Sequence, residues 1–278
     1  MRPLFSDAYG RTFFYLLNAL LGVVFLFPFY WTVITALKTP DHILDYPPGF
    51  IPNPATLENF YTVISRQDFR LWYFNSLVIA LATVFLVLLV SSLAGYGFAK
   101  LNLRWRELLF FSILISLMIP HQSLLIPLFT ILQTFGLINT REGLTLIYTT
   151  FSLPVSIFLL RNACESIPND LVESARIDGC GDLRIWWNII LPLIKPSLAT
   201  LAILTFLGSW NEFLVALIFT TTDEMKTVPV GLSVLLGVYG IHWENLTAVT
   251  VLSFIPVFVI FVFGQRFIVS GLTSGAIK

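Results

Sequence analysis

The sequence has few charged residues and no excess of either sign. Only 12% of its 278 residues are charged, about half the share of 25% found in an average soluble domain. Lys plus Arg number 16 and Asp plus Glu number 16, so the net charge is zero. Because nucleic-acid binding draws on an excess of basic groups, we expect no nucleic-acid partner.

Motifs for metals, nucleotides and covalent catalysis are also missing. Cys164 and Cys180 show neither CxxC nor zinc-ligand spacing. The histidines, His42, His121 and His242, are far apart and form no HExxH pattern. Walker A, GxGxxG and GxSxG sequences do not occur. The sequence therefore predicts that this chain has no catalytic residue, binds no cofactor and holds no metal.

Apolar residues are abundant instead, at 56% of the chain with 26 phenylalanines. About 20 consecutive apolar residues span a bilayer as a helix. Runs of this kind cover residues 13–37, 73–99, 108–131, 143–160, 197–220 and 245–265. Since the backbone must pair its own polar groups in lipid, each run is predicted to be helical. We predict an all-α, polytopic membrane protein with six transmembrane helices, residues 1–278 forming a single transmembrane domain.

The first run has an alternative interpretation as a cleaved signal sequence. It is long, and it ends in the bulky sequence "LFPFYW", whereas a cleavage site needs small residues. A retained membrane anchor is the favoured interpretation.

The distribution of Lys and Arg between the connections predicts the orientation. Cytoplasmic connections carry the excess of these residues. One side has only Lys38, Arg66, Arg70, Arg141 and Lys226. The richer side has Arg2, Arg11, Lys100, Arg104, Arg106, Arg161, Arg176, Arg184, Lys195, Arg266 and Lys278. Both termini and residues 163–195 are therefore predicted to be cytoplasmic. The proline-rich connection 38–72 is predicted to be external, either a spacer or a surface on which a partner docks.

The predicted cytoplasmic connection contains the most polar long segment of the chain, "ESARIDGCGDLRIWWNIILP", residues 173–192. Asn169 is expected to cap a helix over residues 170–178, and Gly179 to end it in the left-handed conformation. Glu173 and Arg176 have the spacing of an ion pair. Asp182 is expected to cap a second helix.

Two short helices with a sharp turn suit a groove on a cytoplasmic partner. Ser174 and Ala175 are small, so that another surface can approach them closely. The alternative is an amphipathic loop at the membrane surface, which Trp186 and Trp187 favour because tryptophan prefers the interface.

This segment resembles the EAA loop of ABC importer permeases, whose pattern is EAA, three residues, Gly, nine residues and I-x-L-P. Six positions match, namely Glu173, Ala175, Gly179, Ile189, Leu191 and Pro192, and the one departure is Ser174, where the family usually has alanine. The segments "YPPGFIPNPATLENF", "MIPHQSLLIPLF", "SWNEFLVALIF" and "QRFIVSGLTSGAIK" resemble the carbohydrate, or maltose-type, branch and its smaller six-helix permease subunit.

This resemblance implies an assembly. Two permeases, forming a heterodimer, would surround one pathway. Two ATP-binding cassette ATPase subunits would lie below it, and an extracytoplasmic solute-binding protein would deliver the substrate. ATP would be used by the partner ATPase and not by this chain. Residues 163–195 would form a cytoplasmic two-helix coupling loop. Its docking core would comprise Glu173, Ala175, Asp178 and Gly179, with Ile189, Leu191 and Pro192 holding the second helix against the bundle.

Candidate substrate contacts follow from polar residues within the apolar runs. Glu212 is the one charged residue in those runs, and an ionisable residue in a span is costly and a functional candidate. With Trp210 and Asn211 it forms an aromatic and hydrogen-bonding group suited to sugars. His121 and Gln122 follow Pro120, which interrupts the backbone bonding of the third run. Helix packing is the alternative for each of them.

The favoured function is the import of a sugar, oligosaccharide, glycoside or polyol osmolyte. Glycerol phosphate or another polar solute is the alternative cargo, although a phosphate would favour basic residues in the spans. A secondary transporter usually has internal repeats and several buried ionisable groups. A membrane-embedded enzyme would need a catalytic cluster, and the spans contain none.

Overall fold

The computed structural model describes residues 8–102, 104–237 and 242–274. In these ranges the secondary structure is helical, without a named strand, which confirms the predicted all-α class. The helices are α1 (Ala8–Ala36), α2 (Glu58–Ser65), α3 (Gln67–Lys100), α4 (Arg106–Ile115), α5 (Leu125–Thr134), α6 (Arg141–Glu165), α7 (Asn169–Ile177), α8 (Asp182–Ile185), α9 (Leu191–Leu193), α10 (Lys195–Trp210), α11 (Leu214–Phe219), α12 (Val228–Gly237) and α13 (Trp243–Ser274). A π-helical turn, Trp186–Ile190, joins α8 to α9.

Four described helices are long and apolar enough to cross a membrane, and the number rises to six if each of two bent pairs is one span. The four lie in α1, α3, α6 and α13 and contain residues 13–36 of the first predicted run and the whole of runs 73–99, 143–160 and 245–265. The chain is therefore a helical, multi-pass membrane protein, as predicted.

The third predicted run, 108–131, is a broken helix. Its two halves, Arg106–Met118 and His121–Thr134, meet at an angle of 95°. Ile119 and Pro120 are extended at the break, with ψ of 119° and 126°. Proline lacks an N–H and disfavours the helical conformation of the residue before it, which accounts for the break.

The fifth predicted run, 197–220, is also interrupted. It consists of α10 and α11, with residues 211–213 between them outside any helix. On the other side of α10, the segment Asp182–Leu193 is bent by 80° relative to it. Pro120 indicated the break in the third run, but the sequence did not predict the break in the fifth, because hydropathy reports composition and not the backbone path.

Contacts divide the chain into two units, described separately: Met1–Phe69 with Leu232–Ile255, and Arg70–Gly231 with Pro256–Lys278. In the first unit the proline-rich connection is held by side chains. Asn59 donates to the carbonyls of Ala36 and Lys38, each at 2.8 Å, and the Lys38 ammonium donates to the carbonyl of Gly49 at 2.7 Å.

The second unit contains both groups of predicted functional residues. One apolar cluster joins α3, α6 and α10 to the segment 167–194 through buried residues that include Leu160, Val172, Ile185 and Ile190. Another cluster joins α3, α5, α6, α11 and α12, with Ile79, Ile147 and Phe219 among its buried residues. These clusters fix the polar segment and the two helix breaks within one unit.

Candidate functional site

The polar segment folds as two short helical arms joined by a tight turn at Gly179. The first arm, α7, ends in a Schellman arrangement, in which the amide of Cys180 donates to the carbonyl of Ala175 at 2.9 Å and the amide of Gly179 to that of Arg176 at 3.0 Å. Gly179 has a φ of 80°, a left-handed conformation that glycine adopts without steric cost. The predicted end of the first helix is therefore observed.

The predicted side-chain pairs of this segment are different in the structure. Asn169 is the first residue of α7 and makes no cap; its Oδ1 accepts from the Lys100 ammonium at 2.7 Å. Arg176 pairs with Asp182 at 3.1 Å and not with Glu173. The Gly179 turn brings Asp182 beside Arg176, so Asp182 does not cap α8. This hydrogen bond raises the pKa of Arg176.

The segment has an inner face and an outer face. On the inner face Val172, Ala175 and Ile185 are at most 7% exposed and belong to the apolar cluster with α3 and α6. The outer face, defined here as Leu171, Ile177 and Leu183, is 46%, 86% and 74% exposed. These three large apolar side chains are thus uncovered, as is Trp187, further along the segment, at 65%.

The two faces locate the predicted coupling residues. Glu173, Ser174, Asp178 and Gly179 are exposed, and the Ser174 hydroxyl donates to the carbonyl of Asp170. Ala175 differs from these residues, because it is buried and its small side chain packs inside the chain against the apolar cluster. Ile189 and Leu191 are partly buried against the apolar cluster, and Pro192 is exposed.

A cavity of about 310 Å³ lies beside the two broken runs. Ligand pockets in proteins have volumes of about 300–1,000 Å³, so that this one has room for a small cargo or for part of a larger one. It is lined by His121, Gln122, Leu125, Tyr148, Phe151, Ser152, Gly208, Ser209, Glu212, Leu214 and Val215. Of the predicted pathway residues, His121, Gln122 and Glu212 line it.

Glu212 has a structural role at this cavity. Its carboxylate accepts hydrogen bonds from the amides of Val215 at 2.8 Å and Ala216 at 3.0 Å. The Tyr148 hydroxyl also donates to it at 2.8 Å. The first turn of α11 has free amides and a positive dipole end, so an acid immediately before it is stabilised. The break in the fifth run thereby supplies the partners that its one carboxylate requires.

Aromatic side chains form another part of the lining. The ring of His121 stacks on Phe151, with centroids 4.2 Å apart and planes 5° from parallel. Tyr148, Phe151 and Ser152 lie on one face of α6, since they are three and four residues apart. The sequence contains this spacing, but an apolar run with scattered aromatic and hydroxyl residues does not distinguish a cavity from helix packing.

Two of the predicted pathway residues are elsewhere. Trp210 is 3% exposed and packs on Phe206 and Tyr73, with centroids 5.6 Å and 5.5 Å away. Its indole fills an apolar cluster and does not line this cavity. Asn211 is exposed and donates to the carbonyl of Leu207 at 2.8 Å, and it does not belong to the cavity lining.

Buried Arg161 is the centre of an ion cluster at the end of α6, with two half-exposed acids. The sequence had indicated Arg161 only as one of the charges that predict the orientation. The Arg161 guanidinium donates to Glu107 at 2.8 Å and to Glu165 at 2.8 Å. It also lies 4.0 Å from the ring centroid of Phe110. Since Glu107 is in α4, this cluster joins the start of α4 to the end of α6.

Comparisons with known proteins agree with this architecture. Residues 88–274 match the family described as "Binding-protein-dependent transport system inner membrane component". A sulfoquinovosyl glycerol transport system permease protein of Agrobacterium fabrum is 37% identical over 269 residues, covering 97% of this chain and 94% of that protein. The trehalose/maltose transport system permease protein of Thermococcus litoralis is 36% identical over 262 residues, covering 93% and 94%.

A further relative is an arabinooligosaccharides transport system permease protein of Bacillus subtilis, 36% identical over 262 residues, covering 93% of this chain and 92% of that protein. Among solved structures, a chain of a bacterial ABC transporter involved in the import of alginate superposes with a TM-score of 0.81, covering 95% of this chain and 99% of that one. Its identity is 24%, so this match shows the fold alone.

The membrane-spanning helices and these matches define the chain as a membrane-embedded transport subunit. The matched residues extend over more than half of the sequence and the relatives over nearly all of it. The chain belongs to the binding-protein-dependent transport system inner membrane components. It is the transmembrane permease part of an ABC importer and not an enzyme.

Proposed function

We propose that this permease imports a sugar, an oligosaccharide or a glycoside or polyol derivative across the cytoplasmic membrane. The relatives named above are described as permeases for sulfoquinovosyl glycerol, arabinooligosaccharides and trehalose or maltose. These substrates share hydroxyl-rich rings or chains, and the proposal takes from them only that chemical class.

The cavity supports a neutral, hydroxylated cargo. None of the described residues that line it is Lys or Arg, whereas a phosphate group favours basic partners. Phe151 and His121 present flat rings, and Gln122, Ser152 and Tyr148 present hydrogen-bonding groups, in the mixture that pockets for small polar molecules require. The Glu212 carboxylate already accepts three hydrogen bonds, so we assign it to orienting Tyr148 and α11.

The exposure of the apolar outer face is the observation that supports the proposed coupling between this permease and an ATPase. Exposed apolar residues surrounded by polar ones mark interaction surfaces. Leu171, Ile177 and Leu183 are in such a setting, with Glu173, Ser174 and Asp178 also exposed. We assign to this face the docking of an ATP-binding cassette ATPase, one of a pair, in a complex with a second and different permease subunit.

The proposed orientation follows from the Lys and Arg distribution. Residues 163–195 and both termini lie in the cytoplasm, and the external side receives cargo from a solute-binding protein. ATP binds to the partner ATPase and closes its dimer. The closure moves the docked outer face, and the inner face passes the movement to the membrane helices and to the cavity.

Isolation of the chain with its partners tests this proposal. The tagged permease, extracted from membranes in mild detergent, is expected to bring down an ATPase, a second permease and, in the presence of cargo, a solute-binding protein. Thermal-shift measurements on that binding protein with disaccharides, glycosides, polyols and glycerol phosphate then identify the cargo class. Stabilisation by glycerol phosphate alone would replace the carbohydrate assignment, and transport by the isolated chain without ATP would contradict the proposed function.

A further inference from the structure

The last two turns of α3 hold both ends of the α7 arm. Lys100, the final residue of α3, contacts the segment just before and at the start of α7. Tyr96, one turn earlier, contacts Asp182, which follows the Gly179 turn. Since residues four apart lie on the same helix face, one stripe of a membrane helix touches the polar segment at two points.

The contact at the start of α7 is made by a charged donor. The Lys100 ammonium donates to the carbonyl of Ile167 at 2.5 Å and to Asn169 Oδ1 at 2.7 Å. Ile167 lies just after the end of α6, where carbonyls lack helical partners and a cation is favoured. One ammonium therefore joins the end of α3, the end of α6 and the beginning of α7.

The contact at the other end includes an ion pair. The Tyr96 hydroxyl donates to Asp182 Oδ1 at 3.2 Å, and Arg176 donates to the same oxygen at 3.1 Å. Arg176 is in the last turn of α7 and Asp182 is the first residue of α8. This carboxylate thereby connects both arms to α3.

A close helix contact sets the position of α3 beside these bonds. A Cβ on Gly95 would lie 2.9 Å from the amide nitrogen of Arg161 and 2.9 Å from the carbonyl carbon of Leu160. The backbones of α3 and α6 therefore touch at Gly95, one residue from Tyr96. Neither helix has room there to move toward the other.

The polar contacts of Tyr96 and Lys100 constrain the relative position of α3 and the polar segment more than the apolar contacts do. Tyr96 shares its cluster with Val172, Ala175 and Ile185, but apolar association is non-directional and is compatible with sliding of one surface over another. Hydrogen bonds weaken steeply with distance and angle, so Lys100 and Tyr96 fix the register between α3 and the polar segment.

We propose that Tyr96 and Lys100 are positioning residues that make α3 the membrane helix moved by the docked loop. When the outer face is displaced, the two contacts pull on the end of α3, a helix of 34 residues. This inference rests on the proposed function, because it requires an ATPase at the outer face. Neither residue is assigned to the docking surface itself.

Measurement of coupling in the full complex tests the proposal. The complex in nanodiscs, isolated with its own partners, is assayed for ATPase content and for ATP hydrolysis with and without loaded binding protein. For Tyr96→Phe combined with Lys100→Met we expect normal ATPase content and a loss of stimulation of about tenfold, within the range of 5–150-fold typical of coupling between sites. The single variant Lys100→Arg retains a charged donor, and we expect it to keep most of the stimulation that the double variant loses.

Arg104→Met is the matched control for the loss of one positive charge. Arg104 is exposed and lies in the short connection after α3, where it contacts the ring of Trp105 at 5.6 Å. The Arg104→Met complex is expected to have the ATPase content and the stimulation of the wild type. Full stimulation in the double variant would overturn the inference and leave the proposed function intact. Loss of ATPase content together with stimulation would also overturn it, by showing that the two residues only fold the loop. A wild-type complex without any ATPase would contradict the proposed function.

Discussion

Gly179→Val is predicted to disable the coupling segment through the backbone alone. Gly179 has a φ of 80°, and a Cβ placed there has no heavy atom within 4 Å. The substitution therefore introduces no clash with a neighbour. Its cost comes from holding an L-residue in the left-handed conformation, which a β-branched side chain disfavours most.

The magnitude follows from that conformation. A left-handed L-residue costs about 1–2 kcal/mol, and a strained backbone position costs up to about 3 kcal/mol. A free-energy difference of about 1–3 kcal/mol changes a population by about 5–150-fold. The Schellman arrangement at Cys180 and Gly179 would open in proportion, and α8 would no longer be held in its present position relative to α7.

Gly181→Val provides the matched control, two residues away. Gly181 has a φ of −74° and a ψ of 160°, which any residue adopts, and a Cβ there also has no neighbour within 4 Å. We expect Gly179→Val to lose ATPase content or the stimulation of ATP hydrolysis by loaded binding protein, while Gly181→Val retains both. Normal docking and stimulation in Gly179→Val would show that residues 173–192 are only a surface loop.

Three further predictions concern the outer face, the cavity and the topology. Ile177→Asp, at a site 86% exposed, is expected to abolish ATPase docking in a pull-down without changing thermal stability. Ile177→Met is expected to preserve docking. Equal docking by both variants would remove the outer face from the proposal. Glu212→Gln is expected to cost about 1.5–3 kcal/mol of stability, the contribution of hydrogen bonds to a charged group, and Tyr148→Phe about 1 kcal/mol. Thermal unfolding of the purified permease measures both costs. An unchanged unfolding midpoint in Glu212→Gln would contradict the role of Glu212 as a cap of α11. A membrane-impermeant thiol reagent outside intact cells is expected not to label Cys180 until the inner membrane is opened, with buried Cys164 contributing no background; rapid labelling from outside would reverse the orientation.

Local backbone signals were predictable from the sequence. Gly179 ends α7 because a helix end needs a left-handed residue and the sequence supplies one glycine at the right place. Pro120 similarly marks the break of the third run. Four of the six apolar runs follow single helices, because a bilayer requires that length and composition, and the other two are broken.

Partnerships between distant residues were not predictable. Tyr148 and Glu212 are 64 positions apart, and Lys100 and Asn169 are 69 apart. No periodicity within one helix reports on such pairs. Asn169 and Asp182 are residue types that commonly cap helices. In the fold, however, the Asn169 oxygen accepts a hydrogen bond from Lys100 and an Asp182 oxygen accepts one from Arg176.

Residue type was also an incomplete guide to location. Trp210 and Glu212 are neighbours in a motif of aromatic and polar residues, yet the first fills an apolar cluster and the second lines the cavity. The break after Trp210 separates them, because Glu212 leaves the helix to cap α11. Ala175 faces inward for a similar reason, since the pattern of α7 places it with Val172 on the side that meets α3 and α6.

Uptake into proteoliposomes tests the central claim most directly. The permease is reconstituted with the ATPase and second permease that copurify with it, the ATPase side facing the lumen, and a labelled form of the cargo identified on the binding protein is added outside. The proposed function predicts uptake that requires both the external binding protein and ATP in the lumen, and that falls to background in Gly179→Val but not in Gly181→Val. Uptake that proceeds without ATP, or that is equal in the two glycine variants, would contradict it.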